Sequence, residues 1–586
     1  MMIQKQRDVE FLPAAALFAA LAGLGALAGL AGCTPSQYAG QADRDALRTV
    51  QQGNQAAMGR PEAFGVAYNP YKPRAKEPND PNTTIMVDGK SIAMDGNSLR
   101  KLSLDECLRI ASRNSRPFQL QKESLYTAAL ALSNSRRGWD FPLPAGEITG
   151  DASRTVVNKG GETNAGSAGV VGTLTQQFVN GGIMTLGLGV DLASDLMGWK
   201  STSVGSLVSA NFTQPLLRGA WRGLAYENQY RRERDFLLTV LEYERFTQEF
   251  AVDILRRYYG VVQQRDLIEN ERENIIRLEE TFQLTKTLVE GGLRSQIELD
   301  QADQNLMNAR VRLMQDERQY GDSLDAFKIT LGLPIRARVE LDYPDVLKEL
   351  NRIGPLPVSV GETEAFEVAM RSRSDVLRRA ATVRDTDRDV EIAADAFLPT
   401  LNVTLGVSAA NAGQRDAAKI RFDQHTRLAS GTFQYDLDQT NNRDAYRNTM
   451  LARDQALRDW DEFVDSLRLE IRGSYRSLML SKQTYELRLR NVEIAKRRRK
   501  LAVLQQKEGQ ASARDVLEAE DDLRQAQNGV TSALVSYTTT RLQFMTTLGL
   551  LVVDEKGMLH EREKPFEYDR IRQRYPYLSG PAGAGR

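Results

Sequence analysis

In the second half of the chain Leu457, Trp460, Val464, Leu467, Ile471, Tyr475 and Leu478 recur at steps of three and four residues. That spacing puts them on one narrow stripe of an α-helix, the seam of a coiled coil rather than the broad face of a globular helix. The helical runs are also long. From Tyr226 to Gly292 is roughly 66 residues, about 100 Å of helix at 1.5 Å per residue. From Tyr446 to Gly509 the same arithmetic gives about 95 Å. A compact domain has no use for rods of that length, whereas a conduit across an aqueous compartment does.

Other stretches alternate with period two. Met184, Leu186, Leu188, Val190 and Leu192 face one way, and Thr185, Gly187, Gly189 and Asp191 the other. Leu401, Val403, Leu405 and Val407 oppose Asn402, Thr404, Gly406 and Ser408 in the same manner. Four strands are predicted in the first such region, about Glu147–Val156, Val170–Phe178, Ile183–Leu192 and Val204–Thr213, with Asn180-Gly181-Gly182 as a hairpin turn. Strands of roughly ten residues with this alternation are the mark of a transmembrane β-barrel, although a half-buried strand of a soluble sandwich alternates too. Their place between long helices, beside the polar loop Ala409–Thr426, favours the barrel.

An internal repeat organises these elements. One fixed shift along the chain carries Ile254 and Tyr258 onto Ile471 and Tyr475, Gly292 onto Gly509, Glu298 onto Asp515, Ala302 onto Ala519, Leu306 onto Leu523, Ala309 onto Ala526, and Leu331-Gly332-Leu333 onto Leu548-Gly549-Leu550. The starts correspond at a longer offset, Glu106–Ala111 with Glu364–Ala369, so the first copy holds extra residues between 145 and 215. Each copy reads short helix, helix, β segment, very long helix, glycine-marked turn, long helix. The predicted division is a leader at 1–32, a tether at 33–100 with a short helix near Ala42–Gly59, repeats at 101–345 and 346–555, and a tail at 556–586.

Composition narrows the function. Lysine plus arginine and aspartate plus glutamate each number 77, which leaves no global field for nucleic acid. The run Lys496-Arg497-Arg498-Arg499-Lys500 lies mid-helix without interleaved aromatics, and reads as a solvated face or as a partner for nearby acids. Two histidines, His425 and His560, and two cysteines, Cys33 and Cys107, are too few and too scattered for a metal cluster or a Cys/His nucleophile. No catalytic residues and no metal ligands are assigned, and an enzyme is not expected.

The N-terminus sets Lys5 and Arg7 before an apolar run, Phe11 to Gly32, that closes on Leu30-Ala31-Gly32-Cys33. This resembles a bacterial lipobox, which implies cleavage before Cys33 and a covalent lipid on its thiol. Thr34 next to it points, by resemblance to enterobacterial sorting, to the outer membrane. No other stretch stays apolar for the roughly 18 residues that a helical crossing needs, so any further crossing falls to strands.

Over about residues 100 to 552 the chain resembles the TolC-like outer-membrane efflux proteins. The resemblance rests on Asn211-Phe212-Thr213-Gln214-Pro215-Leu216-Leu217-Arg218-Gly219 at a return from barrel to helix, Ala396-Phe397-Leu398-Pro399-Thr400-Leu401 at a helix-to-barrel entry, and the two glycine turns. It implies a mostly α fold with a transmembrane β-barrel, in which three protomers pool strands into one barrel and helices into one tunnel. It also implies no cofactor, an outer-membrane location reaching into the periplasm, and work with a periplasmic adaptor and an inner-membrane pump as a passive exit duct for efflux or type I secretion. A non-conducting coiled-coil lipoprotein that braces the envelope is the other reading. Two departures stand out: four strands in the first copy where the family pattern has two, and Asp436–Asn442 in place of a second Gln-Pro-Leu return, a corner for Asp438 or Thr440 to cap.

The same resemblance assigns sites. The turns Gly291-Gly292-Leu293-Arg294-Ser295 and Gly509-Gln510-Ala511-Ser512 would face the inner membrane and receive the adaptor, although reversal of a helix accounts for the glycines by itself. Asp515 and Glu518, three apart on one helix face, match acidic residues at the constricted periplasmic entrance, with Glu298 as the first-copy counterpart and Arg514 and Arg294 as nearby basic partners.

Overall fold

The protein is described by a computed structural model, which defines residues 35–58, 84–87, 90–93, 99–140, 145–157, 161–195, 202–220, 222–354, 360–411, 420–508, 510–554 and 557–561. The leader, Cys33, Gly509 and nearly all of the tail lie outside the described residues. In chain order the elements are α1 (Pro35–Met58), β1 (Thr84–Val87), β2 (Lys90–Ala93), β3 (Arg100–Leu102), α2 (Leu104–Asn114), α3 (Arg116–Arg137), β4 (Ala145–Val157), β5 (Gly161–Gln177), β6 (Ile183–Asp195) and β7 (Thr202–Pro215). There follow α4 (Arg222–Ala225), α5 (Glu227–Glu290), α6 (Gln296–Leu331), β8 (Val339–Leu341), α7 (Tyr343–Ile353), α8 (Glu362–Ser372), α9 (Ser374–Asp395), β9 (Thr400–Asn411), β10 (Ile420–Gln434), α10 (Thr440–Lys507), α11 (Ala513–Leu548), β11 (Leu551–Val553) and β12 (Leu559–Glu561).

The repeat is written in helix lengths. α2 and α8 have 11 residues each, α3 and α9 have 22, α6 and α11 have 36, and the long helices α5 and α10 have 64 and 68. Both 36-residue helices stop at a left-handed glycine, Gly332 at φ 76° and Gly549 at φ 71°. A side chain there is excluded twice over. A Cβ on Gly549 would lie 2.8 Å from the carbonyl oxygen of Ser372, and one on Gly332 would collide with that of Asn114.

Two compact units divide the described chain. The first, from the residues up to Gly53 with Tyr126–Leu237 and Thr382–Ala456, holds the sheet. Its six strands run β10-β9-β7-β6-β5-β4, every neighbouring pair antiparallel, with β4 and β10 as open edges. All four strands expected in the first copy are present and longer than predicted, and the Asn180-Gly181-Gly182 turn joins β5 to β6 with Gly181 at φ 82°. One expectation changes. The described residues of the region 409–426, read as a polar loop, are strand, because β9 reaches Asn411 and β10 begins at Ile420, and cross-strand pairing overrides the polar composition. In the same unit α1 begins earlier than predicted and packs on α3: Asp45 pairs with Arg137, Tyr126 bonds Asp43, and Arg136 Nη1 donates to Gln52 Oε1 at 3.3 Å. Ala46 and Val50 are fully buried.

The second unit takes Asn54–Leu125, Leu238–Ala381 and the chain from Leu457. Its largest apolar cluster joins α2, α5 and α6 beside the parallel β3–β8 pair, around Ile254, Tyr258, Phe327 and Leu331. Cys107 is buried in it, and burial pushes its thiol far above the ordinary range, so it is an inert core residue. On α10 Trp460, Leu467, Ile471 and Leu478 are buried and Leu457, Val464 and Tyr475 half-buried, the stripe the spacing requires.

Candidate conducting sheet and helix-turn site

The sheet has two chemically distinct faces. The register places Leu188 beside Val208 and Val208 beside Ala409, Met184 beside Phe212 and Phe212 beside Leu405. The opposite face carries Thr185, Ser209, Asn211, Thr213, Asn402, Thr404, Ser408, Ser430 and Thr432, and the Thr213 and Thr404 hydroxyls are 3.0 Å apart. Val171, Ile183, Leu207 and Leu428 are large apolar residues on this face, and Gln176, Gln214, His425 and Arg427 are polar ones on the first. Leu188, Leu405 and Val407 are about half exposed.

Backbone bonds lock the two corner motifs together. Leu216 N–H donates to Leu401 O at 2.8 Å and Arg218 N–H to Pro399 O at 3.4 Å. The Asp395 carboxylate accepts from Gly219 N–H at 2.9 Å, and Gln214 Nε2 donates to the carbonyl of Asn180 at 3.0 Å. At the second return Asp438 Oδ1 accepts from Thr440 N–H at 3.0 Å, so Asp438 supplies the cap. Beside these corners α5 and α9 join through buried charges: Arg234, fully buried, pairs with Asp385 and Glu227, and Glu227 also with Arg388.

At the other end of the long helices the two turns meet. In the first, Gly292 sits at φ 72°, and Leu293 N–H bonds back to Leu288 O at 2.8 Å. Ser295 starts α6 without a side-chain cap. In the second, Gln510 N–H donates to Gln505 O at 2.8 Å and Ser512 starts α11 in a capping box with Asp515. Arg294 Nη2 reaches Ala511 O at 2.5 Å, and Glu298 Oε2 accepts from Ala513 N–H at 3.3 Å. Leu293 and Ile297 remain about 70% exposed beside them.

The predicted entrance residues have partners. Asp515 Oδ2 accepts from Ser512 Oγ at 2.7 Å and Ser512 N–H at 2.9 Å, and these bonds, chiefly the one from the hydroxyl, hold its carboxyl below the usual range. Glu518 Oε1 lies 2.8 Å from Arg498 Nη2, and Arg498 also pairs with Asp522. Arg514 is exposed beside Asp515. Arg498 and Arg499 of the basic run thus have acidic partners on α11.

Sequence reading passed over Glu520. It is fully buried, with Oε2 2.7 Å from Arg277 Nε on α5 and Oε1 2.6 Å from Arg499 Nε on α10. Nearby, buried Glu271 holds Arg312 at 3.2 Å and Arg524 at 3.5 Å. The available signal was position: Glu520 stands one residue beyond Ala519 in the buried series Val516, Ala519, Leu523, Ala526, where a carboxylate requires a buried cation. Among the described residues no group of acidic, histidine and cysteine side chains could hold a metal ion.

The fold resembles that of solved outer-membrane channels. It is similar to the outer membrane channel CmeC of Campylobacter jejuni, with a TM-score of 0.56 at 16% identity over 82% of this chain and 90% of that one. It is similar to the open state of the MtrE outer membrane channel of Neisseria gonorrhoeae, with 0.55 at 13% over 76% and 88%. For the outer membrane protein VceC of Vibrio cholerae the values are 0.54 at 13% over 76% and 96%. The family model described as outer membrane efflux protein matches residues 191–333, from β6 to the end of α6. No curated protein matches the sequence. Together these findings show a resemblance to TolC-like channels: residues 191–333 match the outer membrane efflux family model, and the fold is shared with solved outer-membrane channels.

Proposed function

We propose that the chain is the outer-membrane exit duct of a tripartite efflux or type I secretion system, a homotrimer that conducts passively and is anchored by lipid on Cys33. The observation that carries this reading is the two-faced six-stranded sheet in the same chain as helices of 64 and 68 residues. The apolar face suits lipid and the small polar face a water-filled lumen. A second row of apolar side chains on α10, Leu480, Leu487, Ile494 and Leu501, recurs every seven residues and is exposed. Met307, Val311 and Met314 form an exposed row on α6. Rows of that period on separate helices suit coiled-coil contacts between copies. The turns at Gly291–Ser295 and Gly509–Ser512 would receive the adaptor beneath an inner-membrane pump, and Leu293 and Ile297 supply exposed apolar anchors beside them.

Single-channel recording of the purified protein in a planar bilayer tests the proposal. Discrete conductance from a particle of trimer mass is expected, and a particle that never conducts would leave the envelope-brace reading. Cys33→Ser is expected to lose label from a palmitate analogue, and label retained in that variant would remove the anchor assignment.

A further inference from the structure

We infer that β4 of one copy pairs with β10 of the next, and that the trimer carries an 18-stranded barrel wider than its internal repeat requires. The inference rests on the trimeric channel reading. In lipid an unpaired strand edge leaves its N–H and C=O groups unsatisfied, at several kcal/mol each, so both open edges must find partners. The two edges of one chain lie five strand spacings apart, about 24 Å at 4.8 Å per strand. They do not pair with each other, and six strands is fewer than the smallest membrane barrel, about eight. The edges fit a neighbouring copy by direction. Strands alternate through the sheet, so β4 and β10 run oppositely and meet as an antiparallel pair when copies are placed side by side.

The calibre follows from the repeat. α2 and α8 start at Leu104 and Glu362, and α6 and α11 start at Gln296 and Ala513. The first offset is longer than the second by roughly 40 residues, about the length of one membrane hairpin of long strands with its turns. The extra length falls in the region where the first copy has four strands and the second has two. Two strands per repeat would close three chains into 12 strands, and six strands per chain close them into 18. Barrel diameter grows roughly linearly with strand number, so the cross-section rises about twofold. The added hairpin therefore sets the gauge of the outer-membrane pore, which admits bulkier hydrated solutes than a four-stranded protomer would.

The test places Ser153→Cys in β4 together with Thr426→Cys, Leu428→Cys, Ser430→Cys or Thr432→Cys in β10 of the same full-length chain, positions that the register sets on one face of the sheet. The separation within one chain forbids an internal disulfide, and buried Cys107 is silent. Mild oxidation is expected to link neighbouring chains for at least one β10 position. Deleting residues 145–179 removes β4 and β5, a segment whose end already lies near the end of α3, since Gln176 Nε2 bonds the carbonyl of Trp139 at 3.0 Å. Conductance of that variant is expected to fall about twofold, with polyethylene glycols of smaller size excluded. A conducting trimer with no cross-link at any of the four positions, or a deletion variant conducting as wild type, overturns the inference while the channel reading stands. If the deletion variant does not assemble, the cross-links in the full chain decide. Absence of any conducting trimer in the unsubstituted protein overturns both.

Discussion

Arg294 in the first helix turn donates through Nη2 to the carbonyl oxygen of Ala511 in the second, 2.5 Å away and 217 residues on. The bond joins equivalent turns of the two repeats at the end where an entrance would lie. A bond from a charged donor contributes roughly 1.5–3 kcal/mol. Arg294→Ala is expected to keep the trimer folded and raise the fraction of time a single channel spends open. An unchanged open fraction in the bilayer would show that the link does not restrain the turns.

Asp515→Asn with Glu518→Gln tests the entrance. In the proposed trimer three copies of each acid around one axis would repel, by about 2 kcal/mol per pair at 8 Å and an effective dielectric near 20. The double variant should retain its fold, lose cation selectivity, and respond less to block by multivalent cations. Since Ser512 holds the Asp515 carboxyl below its ordinary range, wild-type selectivity should persist into mildly acidic solution. Identical selectivity and block in the two proteins would reduce the pair to a solvated face with a helix cap.

Glu520 ties the copies of the repeat together from inside. Glu520→Gln leaves Arg499 without its counter-charge and Arg277 with only the exposed Glu273, 3.5 Å away, and removing one member of a buried ionic group costs about 3–5 kcal/mol. Thermal unfolding in detergent should show a lower midpoint than Glu518→Gln, whose pairing with Arg498 is exposed. Equal midpoints would mean the buried triad contributes nothing.

Asp375 supplies a pH dependence. Burial raises its pKa, but hydrogen bonds from Arg373 and the charges of Arg373 and Arg245 outweigh that and hold it at about 2. A carboxyl lowered on folding stabilises the native state above its unfolded pKa, near 3.9, and that stabilisation is lost as pH falls through the folded value. The contribution is on the order of 2 kcal/mol at neutral pH. Asp375→Asn should melt lower than wild type at pH 7, and the gap should close between about pH 4 and pH 2. A gap independent of pH would assign the effect to packing alone.

The sequence by itself determined the repeat, the long helices, the four strands of the first copy and the buried stripe of α10. These are local regularities, fixed by the 3.6-residue turn of a helix, the two-residue period of a strand and the glycine that a reversal demands at Gly292. Tertiary structure decided what lies across space. That β7 pairs with β9, that Arg294 reaches Ala511, and that Glu520 stands between Arg277 and Arg499 all join positions far apart in the chain or on different helices. No periodicity encodes such partners, because a buried charge specifies only that a counter-charge must come, and the fold selects which one arrives.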